Sequence, residues 1–226
     1  MKRKAILLCT LLILCLFVAC GANDDGGSLS DTITGTNEVE EETEADLASQ
    51  MAVEEYIVDE DMFGTIYTRY FVVVTNNSEI TVKASVNAVA KDAEGNIIGT
   101  ADSSMRGIAS GETICLENKF SDIEGADSFE YTITVGEDVY TESAFKDIEI
   151  QESRTDTKVI LTCTNNGEDS VLGVEGYVLF FVNGEVVGYD ESDIGDYEIT
   201  PSTTVSQEFS CKGEFDDVKY FVHGQK

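Results

Sequence analysis

Beyond residue 50, apolar and polar side chains alternate along most of this chain, the period-two pattern of strands with one buried face. Over 66–75 the alternation puts Tyr70, Val72 and Val74 on one side. Over 158–164 it puts Val159, Leu161 and Cys163 there, with Lys158, Thr162 and Thr164 opposite. Further strands are predicted over 82–91, through Ile114, Leu116 and Phe120, and through Phe129, Tyr131, Ile133 and Val135. Two connections carry hairpin chemistry, Ala93-Glu94-Gly95-Asn96 and Val182-Asn183-Gly184-Glu185, where glycine supplies the positive φ of a tight turn.

The pattern occurs twice. Thr75-Asn76-Asn77 and Gly95-Asn96-Ile97-Ile98-Gly99 return as Thr164-Asn165-Asn166 and Gly184-Glu185-Val186-Val187-Gly188, each displaced by 89 residues. The same step carries Phe120 to Phe209, Asp127 to Asp216 and Tyr131 to Tyr220 without a gap. A fixed period of this kind marks a duplicated structural unit. With about six strands per copy, regular turns, a single Pro and no Trp, the chain reads as all-β. The expected architecture is two tandem immunoglobulin-like β-sandwiches, residues 51–140 and 141–226. The Thr-Asn-Asn turns are expected to use left-handed asparagine backbone and to bond their own loops.

Asp92, Gly95 and Gly99, followed by Gly111-Glu112-Thr113, resemble the FxLYD family of bacterial extracytoplasmic domains. That family combines an Asn-Asn turn, a D-x-x-G-x-x-x-G hairpin and a Gly-Glu-Thr strand start. Its Phe-x-Leu-Tyr-Asp string is absent here. The resemblance covers most of 66–135 and implies a small sandwich outside the cytoplasm. It implies little about function, since family members are mostly lipoproteins or secreted proteins of poorly defined role.

The N-terminus carries an address. Lys2-Arg3-Lys4 precede an apolar run, Ala5 to Ala19, that is too short to span a bilayer core of ~20 residues but suits a secretory signal. Its end, Leu16-Phe17-Val18-Ala19-Cys20-Gly21, resembles the bacterial lipobox. In that family cleavage leaves the cysteine as a lipidated first residue, so the resemblance implies a signal peptide over 1–19, lipidation of Cys20 and anchorage on the extracytoplasmic face of the cell membrane. Residues 20–50 follow as a tether. They hold nine acidic residues and no Lys, Arg or aromatic, and are expected to be disordered.

Charge bears on partners more than on fold. The chain has 44 Asp and Glu against 14 Lys and Arg, a formal net charge of −30. Such a surface repels nucleic acid and anionic lipid and favours a soluble monomer. Cations and basic partners are the alternative beneficiaries. Catalysis finds little support: His223 is the only histidine, and no nucleophile elbow, zinc motif or phosphate loop is present. No cofactor is expected. Calcium is the one worth weighing, through Asp190, Asp193 and Asp196 converging in a calcium-dependent adhesin-like module, though these do not follow a D-x-D-x-D-G loop and also read as a solvated acidic loop. Cys163 stands where the first copy has Val74 and reads as a small buried apolar residue. Cys115, Cys163 and Cys211 are read as free thiols, with a Cys163–Cys211 disulfide as the alternative.

One difference between the copies points to function. Tyr177 to Val182 is apolar on both faces, where the first copy has Ala88 to Ala93. A strand greasy on both sides must be covered on both sides. The cover is either a loop or the first module, or else a partner protein or glycan. Tyr177, Phe180 and Tyr189 are therefore the candidate binding surface. Lining a shared cleft, they favour ligand binding; buried between modules, they favour an architectural role as accessory to a membrane complex.

Overall fold

The protein is described by a computed structural model covering residues 44–62, 65–121, 123 and 125–226. The signal segment, Cys20 and the tether up to residue 43 lie outside the described residues. The tether was expected to run to residue 50, but Glu44–Ser49 form a short helix, α1. Leu47 explains the difference: its side chain is 2% exposed and fills the end of the first core beside Ala48 and Met51. Burying one leucine contributes roughly 1.5–3 kcal/mol. Glu44 and Asp46 suit the positive end of the helix dipole. Acidic composition hid a single anchoring residue.

The first repeat contains β1 (Met51–Met62), β2 (Thr65–Asn76), β3 (Val82–Lys91), β4 (Ile97–Ile108), β5 (Thr113–Ser121) and β6 (Ser128–Glu137). They form two antiparallel three-stranded sheets, β1-β2-β5 and β4-β3-β6. The second contains β7 (Ile148–Arg154), β8 (Lys158–Asn165), β9 (Val171–Val182), β10 (Glu185–Asp193), β11 (Glu198–Ile199), β12 (Thr204–Ser210) and β13 (Asp217–Gln225). It repeats the plan, with β12-β8-β7 facing a sheet in which β9 pairs β10, β13 and the short β11. The fold is an all-β pair of sandwiches. The predicted inward faces are the buried ones: Tyr70, Val72 and Val74 in the first core, Val159, Leu161 and Cys163 in the second.

The Thr-Asn-Asn motif works differently from the expectation. Neither Asn76 nor Asn165 has positive φ. Each is instead fully buried and acts as a strut. Asn76 Nδ2 donates to the carbonyls of Ile80 at 2.8 Å and Ile108 at 2.9 Å, and its Oδ1 accepts from the backbone of Ser78. Asn165 Nδ2 donates to Asp169 and Ile199, both at 2.8 Å, and its Oδ1 accepts from Gly167. The amide thus ties a carbonyl of its own following loop to one on the facing sheet, Ile108 or Ile199, so neither is left bare.

The Gly-x-x-x-Gly hairpins also have a division of labour. Gly95 and Gly184 sit at φ +84° and +80° in the turns. Beyond them the strand bulges at Ile98 and at Val187. At the second glycine the copies part. A Cβ on Gly99 would fall 2.7 Å from Ile123 Cγ2 and 3.2 Å from Phe120 Cδ1, whereas one on Gly188 would meet only Cys211 Sγ, at 3.4 Å. Gly99→Ala is expected to destabilise the protein by about 1–3 kcal/mol through overpacking, and Gly188→Ala by clearly less, as read by thermal melting of the two variants side by side.

The sandwiches are not beads on a string. The described residues form one compact unit, in which the outer face of β1-β2-β5 lies against the outer face of β10-β9-β13. Four sheets make four layers, and three apolar cores lie between them. The linker after β6 is tied down by Asp138. Its buried carboxylate accepts from Arg106, from Gly107 N and from the backbone of Tyr140 and Thr141. Burial alone would raise its pKa, but those donors hold it well below the usual carboxylate range.

Candidate functional site

The middle core is the feature that a tandem repeat alone does not require. Phe71 and Val73 of β2 and Cys115 of β5 meet Leu179 and Phe181 of β9 and Phe221 of β13, with Val58 of β1 closing one side. Ring contacts cross it: Tyr56 with Phe181 at 5.4 Å between centroids, Phe71 with Tyr189 at 5.0 Å. This is the cover that the two-faced strand β9 demands. Leu179 and Phe181 face the seam, while Val178 and Phe180 face the second sandwich's own core.

Polar contacts frame the seam. At the linker end, His223 Nδ1 lies 2.7 Å from Glu112 Oε1, and Glu112 Oε2 accepts from Ala109 N and Ser143 Oγ. Glu112 is fully buried and His223 is 6% exposed. The Gly-Glu-Thr glutamate therefore serves the contact between sandwiches, and the lone histidine is its partner. On one flank, Lys219 Nζ donates to Tyr56 Oη at 2.7 Å and to Glu54. Next to the apolar centre, Glu117 Oε1 is 3.2 Å from Arg69 and its Oε2 is 3.1 Å from Lys119, which also reaches Glu191 of β10 at 3.3 Å.

At the opposite end from the linker the seam opens into a cleft of about 650 Å³. Val58, Val187 and Tyr189 give it apolar walls, and Asp59, Glu60, Asp190 and Glu214 outnumber Lys212 around it. The bulge at Val187 leaves that side chain half-exposed in the cleft. The Tyr189 hydroxyl donates to Glu60 Oε2 at 2.9 Å, and Arg69 lies over the Tyr189 ring. Cleft and seam thus share a wall.

The three residues nominated from sequence are separated. Phe180 is fully buried against Phe215 inside the second sandwich and is not surface. Tyr177 packs in the seam, and Tyr189 alone lines the cleft. Of the three nominated aspartates, Asp190 has both oxygens engaged, accepting from Ser210 N at 2.8 Å and Glu191 N at 3.0 Å, while Asp193 and Asp196 are exposed. Among the described residues no group of three His, Cys, Asp or Glu is placed to hold a metal ion. Cys115, Cys163 and Cys211 are free thiols. Cys115 lies in the seam, Cys163 in the second core, and Cys211 lines the cleft while packing against that same core.

No protein-family model matches this chain, and no curated protein sequence does. Among solved structures, the crystal structure of red sea bream transglutaminase is similar over 79% of this chain at 12% identity, with a TM-score of 0.25. The chain spans 30% of that protein's length. A likeness that slight assigns neither fold nor activity.

Proposed function

We propose that this chain is a lipid-anchored extracytoplasmic protein whose fused pair of sandwiches is a non-enzymatic binding module, with the cleft at the seam as its ligand site. The observation that carries this reading is that the apolar outer faces of the two sandwiches are spent on each other, leaving the cleft at the mouth of their seam as a concave surface that both build. Its charge selects the ligand class. Four carboxylates against one ammonium, beside aliphatic walls, suit a lysine or arginine side chain of another protein, whose stem packs while its head meets the acids. Anchorage rests on the signal segment and Cys20.

A second reading, an accessory subunit that presents a rigid spacer to a membrane complex, draws support from the burial of Tyr177 in the seam. A photo-crosslinking residue at position 187, in intact cells, separates the two. The control site is 98, the same bulge in the other copy. Capture of one protein from 187 but not 98, lost with Cys20→Ala, is the expected result. Equal capture from both sites would favour the accessory role, and no capture from 187 would remove the cleft from consideration.

A further inference from the structure

We propose that the seam is a proton-dependent latch: one proton held between Glu117 of the first sandwich and Glu191 of the second keeps them docked, and its loss loosens them. The geometry begins with a charge imbalance. Glu117 projects from β5 into the seam with its side chain 3% exposed. Arg69, from β2, divides between Glu117 Oε1 at 3.2 Å and Glu60 Oε2, from β1, at 3.8 Å. Lys119, also on β5, divides between Glu117 Oε2 at 3.1 Å and Glu191 Oε1 at 3.3 Å. Three carboxylates thus share two cations. Lys212 approaches Glu60 at 3.7 Å, but its side chain is 87% exposed and such a pair contributes little.

The remaining neighbours do not restore the balance. Tyr177 of β9, Tyr189 of β10 and Cys115 of β5 face the same space as neutral groups. Farther along, Glu175 of β9 and Asp193 of β10 add negative charge near Glu191, while His223 of β13 is committed to Glu112. Glu117 is desolvated in the seam, whereas Glu191 and Lys119 sit at its solvent edge with side chains 41% and 54% exposed, so of the two carboxylates facing each other the buried Glu117 is the one that a proton neutralises, relieving the repulsion. Burial pushes Glu117 up to about 7, with Glu191 adding to the shift and Lys119 opposing it. Burial also works upward on Glu191, but its hydrogen bond with Glu117 and the Lys119 ammonium outweigh that and hold it low, so the shared proton resides on Glu117.

The sign of the linkage follows. A carboxyl with an ordinary value near 4.5 when the seam is open and about 7 when it is closed binds its proton more tightly in the closed state. Closure is therefore favoured at lower pH and weakens as pH rises through about 7. Between pH 6 and 8 this one group changes the opening equilibrium by about tenfold, and the change levels off above that.

The thiols provide the readout. Cys115 is buried in the seam and Cys163 in the second sandwich's own core, so opening of the seam exposes the first and spares the second. In the full-length mature chain, site-resolved alkylation followed by mass spectrometry gives their relative rates, and the ratio at each pH cancels most of the thiolate's own dependence. The expected result is a rise of about tenfold in the Cys115-to-Cys163 ratio from pH 6 to pH 8, flattened in Glu117→Gln. Glu191→Gln, which keeps the shape but removes the opposing charge, is expected to move the rise to lower pH. A flat ratio in the unmodified chain, or an unchanged rise in Glu117→Gln, would overturn the latch. If Glu117→Gln does not fold, an unchanged midpoint in Glu191→Gln overturns it.

Discussion

Leu179→Arg is expected to part the two sandwiches while leaving each of them folded. Leu179 is fully buried, yet it faces the seam, and the residues on either side of it, Val178 and Phe180, are the ones that hold β9 to its own core. Replacing it forfeits roughly 2–3 kcal/mol of burial and forces a larger, charged side chain among Phe71, Val73 and Phe181. Undocking relieves that charge, because an open seam lets it reach water. Calorimetry should then show two transitions in place of one, and Cys115 should alkylate about a hundredfold faster, the factor that corresponds to a loss near 3 kcal/mol. Cys163 should stay protected. A single transition with both thiols exposed together would mean that the sandwiches do not stand apart. Leu179→Ala, which removes less burial and adds no charge, should lose less than Leu179→Arg and keep the single transition.

Asn165→Asp should be the most damaging change of one atom in the second sandwich, and Asn76→Asp its counterpart in the first. The amide at 165 donates twice to buried carbonyls, of Asp169 and Ile199, from a site with no solvent exposure. A carboxylate of the same shape turns both donations into repulsions and adds an unpaired buried charge. The expected loss is about 3–5 kcal/mol at neutral pH. It should shrink in acid, where the protonated carboxyl again donates one hydrogen bond. Asn166→Asp is the control: that side chain is exposed, and its loss of the bond to Glu149 should stay within about 1 kcal/mol. Equal losses at 165 and 166, read by thermal melting, would show that the strut carries no special share of the stability.

The architecture was legible where the repeat could vote. Agreement between copies located the inward faces of β2 and β8 and both hairpins, because each copy obeys the same turn and packing rules. The seam was half legible. The surplus apolar residues of β9 stood out against their equivalents in the first copy. The complementary surplus, Phe71 and Val73 where the second copy has Ile160 and Thr162, was available by the same comparison and gives the other half of the contact. The two surpluses together identify the first sandwich as the cover of β9.

Other features left no local trace. Glu112 and His223 are 111 residues apart, and neither has its partner's equivalent in the other copy. Glu117 and Glu191 vanish among 44 acidic residues, since the burial of Glu117 and the Lys119 that both contact, not identity, set the pair apart. The cleft depends on how far β1 and β2 run past the first core. Their pairing extends over 12 residues, while β7 pairs β8 over 7, and that excess is a property of register. Leu47 was missed because an acidic composition averages over the single side chain that anchors α1.

The path of the backbone also sets how the folded part would respond to mechanical load. Glu44 comes close to Gly136 at the end of β6, just before the linker, and Lys226 pairs with Glu142 and Asp147 within it. Both ends of the folded unit therefore leave from the linker end, while the cleft lies some nine strand residues away, roughly 30 Å along β1. Tension applied between the two ends would act across neighbouring points, peeling rungs one at a time instead of shearing whole strands together. A pull on the leading end against a ligand seated in the cleft would run along the length of β1 and β9, the direction in which hydrogen-bonded sheets resist together.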